Sequence, residues 1–235
     1  MSSPMAALRR RLDPAAKAEA GVSLVELIVV MFITSIVLAI VGSMFINVAN
    51  VTSNANGTNT RNAVAANVMN AMTKVISTAS NNAVSGQDDP DPAIVSGTAS
   101  ALTIISYVDT SPTNPMPTRV TYRVDSAGQV FEDRVAGVVS GSFFVFTGAT
   151  TSRPLGGPIV SSGLFTYLNK VGDVVTPGAT GLSYAQRNTV ASIRLNVVIA
   201  NTTTTGTATG TNGNDPVQIT NTVGMPNLIL TGTDS

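Results

Sequence analysis

The sequence contains no cysteine and no histidine. Without cysteine neither a disulfide framework nor a thiolate metal site can form. Without histidine the commonest general base and metal ligand is gone. Charge is also scarce: charged residues make up 11% of the chain, against about a quarter in an ordinary soluble domain. Thr, Ser, Asn and Gly fill the deficit, which gives the polar, uncharged surface common in exported β-rich proteins. No proline occurs between Pro14 and Pro90, so nothing in that stretch forbids a long helix. The formal net charge is zero, and a near-neutral body has no electrostatic footprint for nucleic acid.

The few charges are unevenly placed. Residues 1–21 carry Arg9, Arg10, Arg11 and Lys17 against Asp13 and Glu19. Immediately beyond, Leu27 to Ile46 is twenty residues without a charge. As an α-helix they would cover ~30 Å, the thickness of a bilayer's hydrocarbon core. Basic residues precede this run and the next charge is Arg61. The positive-inside rule therefore keeps the N-terminus cytoplasmic and exports the C-terminal body. A cleavable secretory signal fits less well, because its apolar stretch is shorter, about 7–15 residues, and ends in a small-residue site.

Glu26 stands one turn into this apolar segment. A plain anchor gains nothing from a carboxylate there, and an ionisable group near a bilayer is a functional signal by default. The stretch Gly21-Val22-Ser23-Leu24-Val25-Glu26 resembles the prepilin cleavage motif of type IV pilins and type II secretion pseudopilins. The resemblance implies that prepilin peptidase cuts after Gly21, making Val22 the new, methylated N-terminus. It also implies that Glu26, then at the fifth position, pairs with the amino group of a neighbouring subunit's first residue. A buried carboxylate becomes tolerable when an opposite charge meets it, so Glu26 would set the axial register of stacked subunits. The family usually has Phe where this chain has Val22.

Beyond the apolar run, the Asn/Thr/Ser-rich stretch Asn47–Thr60, with Gly57, is expected to bend or fray. Val64, Val68, Met72, Val75, Ile76 and Ala79 then recur at helical spacing, the mark of an amphipathic helix. Met69 and Met72 are expected in its core face. Asn81–Pro92 stops the helix, and the periodicity turns to alternation. Strands are expected over 102–108, 118–124, 128–134, 143–146, 164–168, 189–200 and 217–223. In the clearest one, Ile193, Leu195, Val197 and Ile199 face one way. The stretch 201–216 reads as a long loop. The expected fold class is α+β: a long N-terminal helix, transmembrane in its first half and amphipathic in its second, packed on an antiparallel sheet. The expected division is a leader over 1–21, an assembly helix over 22–58 and an exported domain over 59–235.

The body is similar to the larger minor pilins and pseudopilins of the J type. The likeness lies in Tyr122-Arg123-Val124 through Gly128, Val130 and Arg134, in Phe165-Thr166-Tyr167, and in the strands over 192–199 and 217–227. Pro226 stands where that family often has Arg. The likeness implies a minor subunit acting in initiation or at the tip, with other pilins, prepilin peptidase and membrane lipid along 27–46 as partners. It would reside in the inner membrane before assembly and in a surface or periplasmic filament after it.

Other constellations are weaker. Asp88, Asp89 and Asp91 lack the glycine and terminal Glu of a calcium loop and read as a solvated acidic turn. Glu132 and Asp133 are adjacent on a strand, so they face opposite ways and form no catalytic pair. Lys74 and Lys170 sit in no Ser–Lys motif, and Gly156-Gly157 is no phosphate loop. The triplets at Asn50, Asn56 and Asn201 match a glycosylation signal by chance. No catalytic residue, cofactor or metal is expected. A membrane-anchored exported enzyme or binding protein is the competing class, and it would need a reactive constellation that the sequence does not display.

Overall fold

The computed structural model describes residues 23–108, 115–161, 163–200 and 216–228. The leader with its last residue Gly21, the expected new N-terminus Val22, and nearly all of the expected loop over 201–216 lie outside them. Helix α1 spans Leu24–Ser77. The strands are β1 Ile94–Gly97, β2 Leu102–Ser106, β3 Thr118–Val124, β4 Val130–Ala136, β5 Val138–Ser140, β6 Phe143–Val145, β7 Thr151–Gly156, β8 Phe165–Asn169, β9 Val174–Val175, β10 Val190–Ile199 and β11 Val217–Gly224. A short helix α2, Tyr184–Thr189, precedes β10. The class is α+β. The chain divides into two compact units, Met1–Ser53 and Asn54–Ser235.

Within the first unit the described residues are one helical segment that buries none of its side chains. Within the second unit, Ala65, Val68, Met69, Met72, Val75 and Ile76 form the buried stripe of α1, continued by Ala79. Their spacing of three and four residues puts them on one face. Both methionines are core residues. The expected fray over Asn47–Thr60 does not occur: α1 runs unbroken through it. Gly57 costs roughly 1 kcal/mol relative to Ala in a helix interior, and that is too little to break a helix continuing on both sides.

All strand pairs in the body are antiparallel. One sheet has the order β1-β2-β3-β4-β7, a second β11-β10-β8-β9, and β5 pairs only with β6. Strand β3 starts and ends where alternation predicts, and its hairpin to β4 is closed by Asp125. That carboxylate accepts from the backbone N–H of Ala127 at 2.9 Å and of Gln129 at 2.8 Å, an Asx-type turn. The inward residues of β10 are the expected Ile193, Leu195, Val197 and Ile199, all buried. The strand begins one residue later than expected, because Thr189 ends α2. Ser183 caps α2 in a reciprocal capping box with Gln186, a signature readable in "SYAQ".

The two large sheets are joined by a tyrosine. The buried Tyr167 of β8 donates its phenol to the Thr98 carbonyl at 2.8 Å, and the N–H of Phe165 bonds the Ala99 carbonyl at 3.0 Å. Helix α1 approaches the first sheet closely at Gly156, at the end of β7. A Cβ there would lie 2.6 Å from Val64 Cγ1, and φ is +143°. Asn67 Nδ2 donates to the neighbouring Leu155 carbonyl at 2.9 Å. Any side chain at 156 must therefore both strain its own backbone and displace the Val64 side chain.

A fragment beginning at Asn54 should fold with β-type circular dichroism, since it holds its own core. In that fragment Gly156→Ala should cost ~1–3 kcal/mol, as overpacking usually does. At about 2–4 °C per kcal/mol for a body of this size, the melting temperature should fall by several degrees. Gly163→Ala, where a Cβ meets nothing within 4 Å, should leave it nearly unchanged. Equal melting of the two variants would contradict the close approach.

Candidate functional site

Among the described residues three places could carry chemistry or recognition: the acidic turn after α1, the fully buried carboxylate of β4, and the exposed apolar helix. Asn82 and Asp91 close the turn by exchanging backbone hydrogen bonds at 3.0 and 2.8 Å. Among the described residues no group of three or more His, Cys, Asp or Glu side chains gathers as a metal would require.

The buried carboxylate is Glu132, with no exposed surface. Its position follows from parity: Val130, Glu132 and Arg134 share the inward face of β4, while Asp133 faces outward. The register sets Tyr122 on one side of Glu132 and Arg153 on the other. Both Arg134 Nε and Arg153 Nε donate to Oε1 at 2.6 Å, and the Tyr122 phenol donates to Oε2 at 2.9 Å. The same phenol lies 3.3 Å from the Ala71 carbonyl of α1, so the cluster sits where helix and sheet meet. A carboxylate with three donors converging on it is held in place. The arrangement is structural. Tyr122 and Arg134, both singled out in the sequence, come together here; that Glu132 is the group between them was not read from the sequence. Phe165 and Tyr167 lie on β8 in the junction between the two large sheets.

Outside, Asp133 accepts from Arg123 Nε at 2.7 Å and from Ser152 at 2.5 Å. Burial pushes the Asp133 carboxyl up, but these donors and the Arg123 charge outweigh it and hold the group below the usual carboxylate range. Burial, the Glu132 charge and the hydrogen bond to it drive the Tyr122 phenol far above the ordinary tyrosine range, and burial alone raises Tyr167.

The third place is the N-terminal part of α1. Ser23 precedes the helix and its carbonyl accepts from Leu27 N–H at 3.0 Å, so Glu26 occupies the first turn. A carboxylate there gains ~0.3–1 kcal/mol from the helix dipole. Ser23-Leu24-Val25-Glu26 has the spacing of a capping box, yet neither side chain makes a hydrogen bond among the described residues. No cation of the described residues forms an ion pair with Glu26. From Leu27 to Thr60 no charge follows. The large apolar side chains between Leu24 and Val51 are all exposed, from 45% at Ile36 to 75% at Phe45. The helix is long and apolar enough to cross a membrane. Its two serine hydroxyls within the apolar run suit that medium: Ser35 Oγ bonds the Met31 carbonyl at 2.6 Å and Ser43 Oγ the Ile40 carbonyl at 2.8 Å, leaving them satisfied without water.

The phenols give the body an alkaline limit. A folded-state pKa above the unfolded one means that stability is complete below the unfolded value. It is lost as pH rises beyond that value, about 10 for tyrosine. Chemical denaturation between pH 8 and pH 11 should therefore show stability falling above about pH 10, and Tyr167→Phe should flatten that fall. Tyr122→Phe should flatten it too, while costing about 1–3 kcal/mol at neutral pH by removing a donor from Glu132. An alkaline slope unchanged in Tyr167→Phe would contradict the assignment.

Residues 16–42 match the family model described as the prokaryotic N-terminal methylation motif. No curated protein matches the chain. The matched stretch contains Gly21, Val22 and Glu26 and the apolar run as far as Gly42. It supports a chain of the type IV pilin and pseudopilin kind, headed by a prepilin-type motif that implies processing by prepilin peptidase and assembly with other pilin subunits.

Proposed function

We propose that this protein is a minor subunit, a minor pilin or pseudopilin, of a type IV filament, acting in initiation or at the tip. Prepilin peptidase removes residues 1–21 by cutting after Gly21, and Val22 becomes the methylated N-terminus. Residues 22–58 form the assembly helix and 59–235 the exported domain. Before assembly the helix lies in the inner membrane with its N-terminus cytoplasmic, its residues 27–46 in lipid. Afterwards the subunit belongs to a surface or periplasmic filament. The protein is a structural, non-enzymatic subunit, and its partners are the peptidase and the other pilins.

The observation that carries this reading is Glu26: one carboxylate at the head of an exposed, charge-free helix, with no ion-pair partner among the described residues. In lipid such a group needs a cation from another chain. The amino group freed at a neighbour's Val22 supplies one, and it does so at one axial stagger only. The minor role is supported by the J-type likeness of Tyr122, Arg134, Phe165 and Tyr167.

Substitution at this residue separates register from anchoring. Glu26→Leu should leave cleavage and membrane insertion intact, since Leu partitions into lipid more readily than Glu. Incorporation into filaments should fall sharply, because removing one member of a buried pair typically costs ~3–5 kcal/mol. Glu26→Gln should be intermediate at best. The readout is cross-linking to partner pilins, or filament recovery, at equal membrane levels. Normal incorporation of the Leu variant would reject the register role.

A further inference from the structure

Strand β11 forms one edge of its sheet, and its outer backbone groups can be identified. The N–H of Met225 bonds the Ala191 carbonyl at 3.1 Å, one step beyond the pair Ser192–Gly224. Residues 191 and 225 are thus a hydrogen-bonded pair, and such pairs recur at every second residue of an antiparallel ladder. Val217, Ile219, Asn221 and Val223 therefore bond β10, while Gln218, Thr220 and Thr222 turn both N–H and C=O outward. The other side of β10 agrees, since Asn196 N–H bonds the Leu164 carbonyl at 3.0 Å. Among the described residues nothing bonds the outward groups of β11, and Thr220, Asn221 and Thr222 are all exposed.

The body's other edges are blunted in the ways sheets usually avoid pairing. Strand β1 has four residues and a register shift, β7 carries Pro154 and Arg153, and β9 has two residues. Strand β11 is eight residues long without charge or proline, and its register against β10 is unshifted. The side chains of Gln218 and Thr220 are drawn over the sheet to Asn196 Oδ1, at 2.7 and 3.3 Å, which leaves the backbone edge clear.

We propose that β11 pairs edge to edge with β11 of a second copy of this chain. Set antiparallel about Thr220, every outward residue meets an outward residue: Gln218 with Thr222, Thr220 with Thr220, Thr222 with Gln218. Each pair exchanges two backbone bonds, about six in all, and the facing side chains are uncharged Thr and Gln, with no like-charge penalty. The two four-stranded sheets become one continuous sheet. An edge contact of this size is weak in solution, and anchoring both copies in one membrane raises their effective concentration. The pairing rests on the body alone and does not depend on the filament reading.

The test uses the full chain in lipid vesicles at low protein density. Because the sequence has no cysteine, Thr220→Cys introduces a single thiol on the twofold axis. Val171→Cys, at a turn residue 85% exposed, reports random collision. Mild oxidation should give a disulfide-linked dimer of the Thr220→Cys chain and little from the Val171→Cys chain. Adding Thr222→Pro removes one outward donor from each copy, two bonds of the pair, and should lower dimer yield by roughly tenfold. Gln218→Pro removes the equivalent donor and replaces it if Thr222→Pro does not fold. Equal cross-linking at 220 and 171, a yield indifferent to proline in a folded variant, or an adduct formed only with a different polypeptide would each overturn the proposal.

Discussion

A helix that carries no charge from Leu27 to Thr60 cannot stand in water with its large apolar side chains exposed. Each such side chain, fully transferred from water, contributes ~1.5–3 kcal/mol, and α1 exposes them on every side between Leu24 and Val51. That part of the molecule is thus defined by a medium or partner outside the chain. The features around it are consistent with this demand. Ser35 and Ser43 bond back to the helix, proline is absent, and the next charge, Arg61, falls after the body has begun. Glu26 is the exception, which is why it carries so much of the functional reading.

The body solves a different problem with the continuation of the same helix. Its stripe from Ala65 to Ala79 is covered by strands, and the contact is fixed by Gly156 beneath Val64 and by Tyr122 beneath Ala71. Glu132 stands at the centre of that contact with two guanidinium donors and a phenol. A buried carboxylate of this kind adds little net stability, but losing one partner is costly. It therefore favours one placement of helix over sheet against near alternatives, a role parallel to the one proposed for Glu26 between subunits.

Long, strongly periodic segments were legible in the sequence. The amphipathic stripe, the Thr118–Val124 strand and the inward set of β10 are all found as the alternation implies. The shorter strands expected over 143–146 and 164–168 are found as β6 and β8, whereas β1, β5, β7 and β9 were not expected, because tertiary pairing makes them. Strand β1 exists by pairing with β2, β9 by pairing with β8, and β7 holds a proline tolerated only at an edge. Strand β5 and the capping box of α2 did leave signals in the sequence, the turn Gly141-Ser142 and "SYAQ". At the candidate site, the motif alone is what proposes Gly21, Val22 and Glu26. The inward parity of Glu132 was readable too, but not its three donors, which come from three strands.

The central claim is that this chain is a prepilin-type substrate whose apolar helix begins the mature protein. Intact-mass analysis of the protein recovered from its native membranes tests it most directly. The account predicts a mature chain beginning at Val22, with its amino group methylated. A chain that retains Met1, or one that begins after Ala49 as a secretory signal would leave it, contradicts the account.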